Sequence, residues 1–333
     1  IQARLQEQAR IQIAPLQPDG RPAVAIRPPA QQARGLALLP VADAGDIWFD
    51  MEGYPNPITG HKLEYLFGAC YRDEQGERRF IAWWAHDEPE ERIAFDGFME
   101  WVKARRITYP NLHVYHYASY EKTALGNLAS RHQLHQPLWD QWLREELFVD
   151  LYPIVRHGLL LGAPSYSIKK VEGLYLTEAR QQEVTNAADS VVQYAQWIKS
   201  KESRSPGRGA GESLRLQELQ DYNEKDCEST EELHSYLLGL PIWADSELKH
   251  RPNRWDAAAL DSDSEATKAT ERELEILART LREEVPTKQC DPHAIGSRGM
   301  SWGQQKLLAQ LIDFQEREGK VEWWEFFNRI NGM

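Results

Sequence analysis

The sequence predicts an α/β fold, a mixed five-stranded sheet flanked by helices with a helical C-terminal extension. From Asp46 onward, Ile47-Trp48-Phe49, Leu63 to Tyr71 and Phe80 to Ala85 are apolar or aromatic runs separated by turn-rich or charged segments. That is the texture of three consecutive antiparallel strands. Two further strand-like runs, Leu112 to Tyr117 and Phe148 to Leu151, then alternate with helical patterns. Meandering strands followed by alternation call for a mixed sheet rather than an all-parallel one.

Taken in order, Ile1 to Ile13 is a short Gln-rich helical pattern, and Pro15, Pro18, Pro22, Pro28 and Pro29 follow it. Repeated prolines fix φ and remove donors, so residues 1–45 read as a lead-in linker. The main domain is expected over 46–240. Between its third and fourth strands, Ile93, Phe95, Phe98, Trp101 and Val102 recur at helical spacing ahead of Pro110. Helices are expected at Tyr120 to His132, Leu138 to Leu147 and Leu214 to Leu238, and the Ser-, Gly- and Arg-rich stretch 200–213 as a mobile surface loop. Residues 241–333 read as a helical extension, with amphipathic segments at 271–284 and 303–318 and an aromatic cluster at 323–327. It is expected to connect to a further domain.

The chain has 333 residues, with 41% hydrophobic residues and twelve Trp, enough to require a real core. A net charge of −12 argues against a protein that coats nucleic acid nonspecifically. It is compatible with clustered carboxylates that hold divalent ions. Cys70, Cys227 and Cys290 are too widely spaced for a zinc pattern or a disulfide framework. No membrane-length apolar run or signal peptide is present. A reducing, cytoplasmic setting is expected, and a chain opening on Ile1 is expected to be a piece of something larger.

Three acidic elements stand out. Asp50 and Glu52 follow the first apolar run, and i, i+2 spacing on a strand projects both from one face, here at the strand's end. The triplet alone is weak, since three other Asp-x-Glu triplets occur, at Asp226, Asp245 and Asp263. An exposed strand end would look the same. Next, Glu121 opens the helix after the fourth strand, where an acid can also serve only the helix dipole. Finally, Tyr222 and Asp226 share a helix face at i, i+4. Among thirteen tyrosines only Tyr222 has Asp four residues later, although a solvated helix face would show the same spacing. Order and context join the three elements: several carboxylates converging on a pair of ions is what two-metal phosphodiester hydrolysis requires.

In that order the chain resembles the DEDD superfamily of 3′→5′ exonucleases, on its tyrosine-bearing branch, whose fold is RNase H-like. The resemblance implies that Asp50, Glu52, Glu121 and Asp226 bind two divalent ions, Mg²⁺ or Mn²⁺, and that Tyr222 orients the attacking water. The family has Asp at its second motif where Glu121 stands here, so Asp150 is the substitute candidate. The segments GDIWFDMEG, LEYLFG, YHYASYEKTAL, FVDLY, SYSIKKVE and YNEKDCEST are also similar to the RNase H-like module of large bacterial RecB-family nucleases. That likeness, strongest over about residues 35–240, implies a RecB-like nuclease region before this module and a superfamily 1 helicase after it.

Nucleic acid is the expected partner, single-stranded DNA ahead of RNA, with no membrane. Ser165, Ser167, Lys169 and Lys170 are candidates to face phosphates, with Arg156 and His157 adding charge. Tyr117, Tyr120 and Tyr54 are candidates for stacking on a 3′-terminal base. Each of these has a plainer reading as a cap, a surface charge or a core aromatic. Two other functions are compatible with the sequence: a scaffolding or nucleic-acid-binding module without catalysis, and a structure-specific endonuclease.

Overall fold

The computed structural model describes residues 2–55, 62–176, 187–200, 209–244 and 248–252, with short pieces at 280–281, 293–296 and 298–305. The chain divides into two compact units, 1–253 and 254–333. The second is described only in its short pieces, where Gln305 Nε2 donates to the Leu281 carbonyl at 3.2 Å. Of the expected C-terminal helices, 280–281 and 302–305 are described and helical. The cluster at 323–327 and loop residues 201–208 lie outside the described residues.

Five strands form the main sheet, in the order β4-β3-β2-β5-β6. They are β2 (Ile47–Pro55), β3 (Lys62–Arg72), β4 (Arg78–Trp84), β5 (Val114–His116) and β6 (Phe148–Asp150). The β2, β3 and β4 meander is antiparallel, while β5 joins β2 and β6 joins β5 in parallel. Near-continuous burial along β2 and β3 follows from helices covering both faces.

Side-chain alternation sorts β2 between those helices. Phe49 stacks on Phe98 of α2 (Glu88–Thr108), ring centroids 4.2 Å apart. That helix starts at Asp87, whose side chain accepts the Glu90 N–H, an N-cap of the preferred kind. Trp48 points the other way and donates through Nε1 to His234 Nδ1 of α8 (Leu214–Leu238) at 3.3 Å. Along α8 the buried positions Leu216, Leu219, Tyr222, Asn223, Cys227, Thr230, Leu233, His234 and Leu237 recur at helical period, making one face that lies on the sheet. Each large apolar side chain covered this way stabilises the fold by roughly 1.5–3 kcal/mol. Glu231, 2% exposed, receives both Arg72 and Arg78 and ties α8 to β3 and β4.

The lead-in segment packs onto this unit. It holds α1 (Gln2–Gln12) and β1 (Val24–Ile26), and β1 pairs antiparallel with β7 (Leu159–Leu161). Between β6 and β7 runs α5 (Leu151–Gly158). Among the described residues this unit also holds α3 (Tyr120–His132), α4 (Gln136–Arg144), α6 (Ile168–Val171) and α7 (Ala187–Lys199).

Candidate active site

Asp50 and Glu52 stand within β2 rather than at its end, because β3 continues to pair with it as far as Pro55 and Lys62. The parallel neighbour stops sooner, as β5 pairs with β2 only at Ile47 and Trp48. The stretch carrying both acids therefore has a strand on one side and an opening on the other. A bulge follows at once: Glu52 faces Leu66 and Gly53 faces Glu64, so Tyr65 is the extra residue of β3. Bulges re-aim side chains next to active sites. Here the Tyr65 ring stacks on Tyr194 of α7, centroids 3.8 Å apart.

Helix α8 brings Asp226 over the same face. One carboxylate oxygen from each of Asp50, Glu52 and Asp226 can be chosen so that all three lie within 4.8 Å of one another. Glu52 is buried and Asp50 partly so. The crowding is electrostatically costly. Burial, and then the charges of Asp226, Glu52 and Glu121, hold the Asp50 carboxyl well above the usual range. Burial pushes Glu52 up to about 8, with Asp226 adding to the rise. A hydrogen bond from Ser190 and the charges of Lys62 and Lys169 oppose it. Three carboxylates, Asp50 and Glu52 with raised proton affinity among them, offer hard oxygen donors that suit a divalent cation such as Mg²⁺ or Mn²⁺.

Two neutral side chains hold this acidic group from behind. Asn223 Nδ2 donates to Asp50 Oδ2 and Ser190 Oγ to Glu52 Oε2, both at 2.7 Å. The Tyr222 hydroxyl lies in the field of the Asp226 carboxylate and accepts from Lys169 Nζ at 3.1 Å. Burial, then the charges of Asp226, Glu52 and Asp50, raise the phenol's pKa, so it stays a neutral hydroxyl.

Glu121 lies outside the group of three. It is buried at the start of α3, with Oε2 3.2 Å from His116 Nδ1. That ring nitrogen is also 2.7 Å from the Ala118 carbonyl, and Glu121 Oε2 has no hydrogen bond of its own among the described residues. Burial raises the Glu121 pKa, and His116 works against the rise. Asp150 is occupied elsewhere: its Oδ1 accepts the Tyr152 N–H at 2.9 Å, capping α5, and the Ala118 N–H at 2.8 Å. Ala118 has φ +73°, an uncommon conformation for a residue with a Cβ. Asp150 thus secures the strained turn that presents Glu121.

The residues expected to face nucleic acid are dispersed. Ser165 and Ser167 are exposed, their hydroxyls 3.2 Å apart. The helix they precede, α6, is a single turn without a side-chain cap. Lys170 is exposed, whereas Lys169 reaches inward to Tyr222. Tyr117 donates to the Tyr166 carbonyl and packs edge-on against Tyr152. Tyr120 donates to Glu64, and Lys62 Nζ covers its ring at 3.9 Å. Tyr54 packs near Tyr194, centroids 5.4 Å apart, and Arg156 Nη1 lies 3.3 Å from the Tyr152 hydroxyl.

Sequence reasoning did not single out Asn223, Ser190 or Lys62. For Asn223 a signal existed, an amide on the apolar stripe of a long helix, where Asn is a poor helix former. For Ser190 and Lys62 none did.

A meander of three antiparallel strands joined in parallel to two more, with carboxylates gathered over the central strand, defines an RNase H-like α/β domain. The family model described as RNase_H superfamily matches residues 47–238, more than half of the chain. The chain belongs to the RNase H superfamily. No curated protein and no solved structure matches it. Membership implies a nucleic-acid substrate and hydrolase chemistry, and the triad of Asp50, Glu52 and Asp226 is the group that could bind metal. Among the described residues, no helix is long and apolar enough to cross a membrane.

Proposed function

We propose that the chain is a metal-dependent 3′→5′ exonuclease of the tyrosine-bearing DEDD branch, acting on single-stranded DNA by two-metal phosphodiester hydrolysis. The observation that carries this reading is the convergence of Asp50, Glu52 and Asp226, whose oxygens come within 4.8 Å of one another. Bound divalent ions would lower the pKa of an attacking water and stabilise charge on the leaving oxygen.

In this reading Asp50, Glu52 and Asp226 hold one ion, and Glu121 helps with the second. Tyr222, kept neutral beside Asp226, aligns the water and keeps its own proton. Lys169, adjacent to that hydroxyl, meets the phosphate, while Ser165, Ser167 and Lys170 follow the backbone away from the site. Tyr117 and Tyr120 flank the terminal base. In the full-length protein the module works beside a RecB-like nuclease region and a superfamily 1 helicase in the cytoplasm, with 241–333 as the connector.

The test is a single-stranded oligonucleotide labelled at its 5′ end and incubated with Mn²⁺ or Mg²⁺. A ladder shortening from the 3′ end, absent in Asp226→Asn, is expected. A single internal cut would favour the endonuclease, and binding without cleavage the scaffolding module.

A further inference from the structure

Behind the carboxylates, Asn223 is wholly buried on the sheet-facing side of α8. Its Nδ2 donates to Asp50 Oδ2 at 2.7 Å. Against an ionised Asp50 the reverse orientation of the amide would bring two acceptor oxygens together, so the donor faces the carboxylate. Its Oδ1 is buried with no hydrogen-bond partner among the described residues. A half-satisfied buried amide is costly, and an apolar residue would avoid that cost. Asn223 nevertheless keeps a single bond, and that bond goes to Asp50.

The sheet makes room for it. Gly68 of β3 sits directly opposite Asp50 in the antiparallel ladder, so a side chain there would project from the same face. A Cβ on Gly68 would lie 1.6 Å from Asn223 Oδ1 and 2.8 Å from its Cγ. No rearrangement short of moving the amide accommodates that. The next nearest atom, Phe80 Cε2 at 3.0 Å, belongs to a side chain that can give a little.

We propose that Asn223 is a positioning residue for the metal site, holding one oxygen of Asp50 so that the other faces the ion, and that Gly68 is the seat that admits it. Outer-shell partners that orient carboxylate ligands typically contribute 10- to 100-fold to metal affinity. The proposal rests on the carboxylate group being a metal site.

Its test is Mn²⁺ binding to the metal-free full chain, by calorimetry and by the electron paramagnetic resonance of free Mn²⁺, without substrate. Asn223→Ala and Gly68→Ala should each weaken binding by about ten-fold or more. In the double variant the loss should equal that of Asn223→Ala alone, since the glycine acts only through the amide. Ser229→Ala, on the same helix but bonded to Glu172 and Tyr175, should bind as wild type. Wild-type affinity in Asn223→Ala, losses that multiply in the double variant, or an equal loss in Ser229→Ala would each overturn the proposal. Should Asn223→Ala not fold, Asn223→Ser, too short to reach Asp50, takes its place with the same expectation. A wild-type chain that binds no Mn²⁺ would overturn the metal site itself, and the proposal with it.

Discussion

The hydroxyl of Ser190 on α7 donates to Glu52 Oε2 on β2 at 2.7 Å, linking residues 138 positions apart. It favours the ionised form of a carboxyl that burial has pushed up to about 8. Protons compete with metal for such a ligand. Ser190→Ala should therefore weaken Mn²⁺ binding about ten-fold near neutral pH, and the gap should narrow as pH rises past the carboxyl's pKa. Calorimetric titrations at several pH values check this, and a deficit independent of pH would point to a purely steric effect.

The raised pKa values also set a stability profile. Between 4.5, the ordinary value, and about 8, the folded chain keeps a Glu52 proton that the unfolded chain has released. Stability then falls as pH rises through that window, and Asp50, raised for the same reasons, adds to the fall. Without metal, the melting temperature should be lower at about pH 8 than at about pH 6, and Mn²⁺ should reduce the difference. Scanning calorimetry with and without the ion decides it.

Asp226→Asn removes one of three crowded charges at constant size. Nuclease activity should disappear, while the melting temperature of the metal-free protein holds or rises, because repulsion with Asp50 and Glu52 is relieved. A collapse in melting temperature would make Asp226 a structural residue instead.

Tyr222→Phe should lower turnover by about one to two orders of magnitude with Mn²⁺ affinity nearly intact, the scale of a positioned water-orienting group. Single-turnover kinetics on a labelled strand measure it. An unchanged rate would remove the tyrosine from the mechanism.

Glu121 and Asp150 are separated by their bonding. Glu121→Gln should raise the Mn²⁺ concentration needed for half-maximal activity. Asp150→Asn should not, because an amide oxygen can still accept the Ala118 and Tyr152 N–H groups. Asp150→Ala loses both bonds and should cost about 1–2 kcal/mol of stability. Chemical denaturation and metal titrations of the three variants distinguish ligand from cap.

Much of this architecture was legible in the residues. The β2, β3 and β4 meander shows as apolar or aromatic runs between turn-rich or charged segments, and α2 as apolar residues at helical spacing. The 151–161 segment was not, since α5 and β7 have eight and three residues, too short for a period to emerge. Helix α7 carries Ser190, Tyr194 and Trp197 at helical spacing, but its neighbourhood gave no reason to look there. The acids of the site were visible because a strand's alternation and a helix's turn are local rules. Asn223, Ser190 and the seat at Gly68 were not, because their importance lies in what stands opposite them after folding. Asp150, an acid ending a strand, was legible both as a substitute ligand and as a helix cap, and the two backbone N–H groups that its Oδ1 serves show only in three dimensions.

Asp50 and Asn223 lie 173 positions apart, which has a bearing on how the protein is made. All five strands of the main sheet have been synthesised once Asp150 has been added, yet Tyr222, Asn223 and Asp226 arrive only with α8. At about 5–20 residues per second, the ribosome needs roughly 4–15 s to cover that interval. Throughout it the nascent chain holds Asp50 and Glu52 without Asp226. The order of the elements along the chain thus leaves the carboxylate group incomplete until α8 has been synthesised.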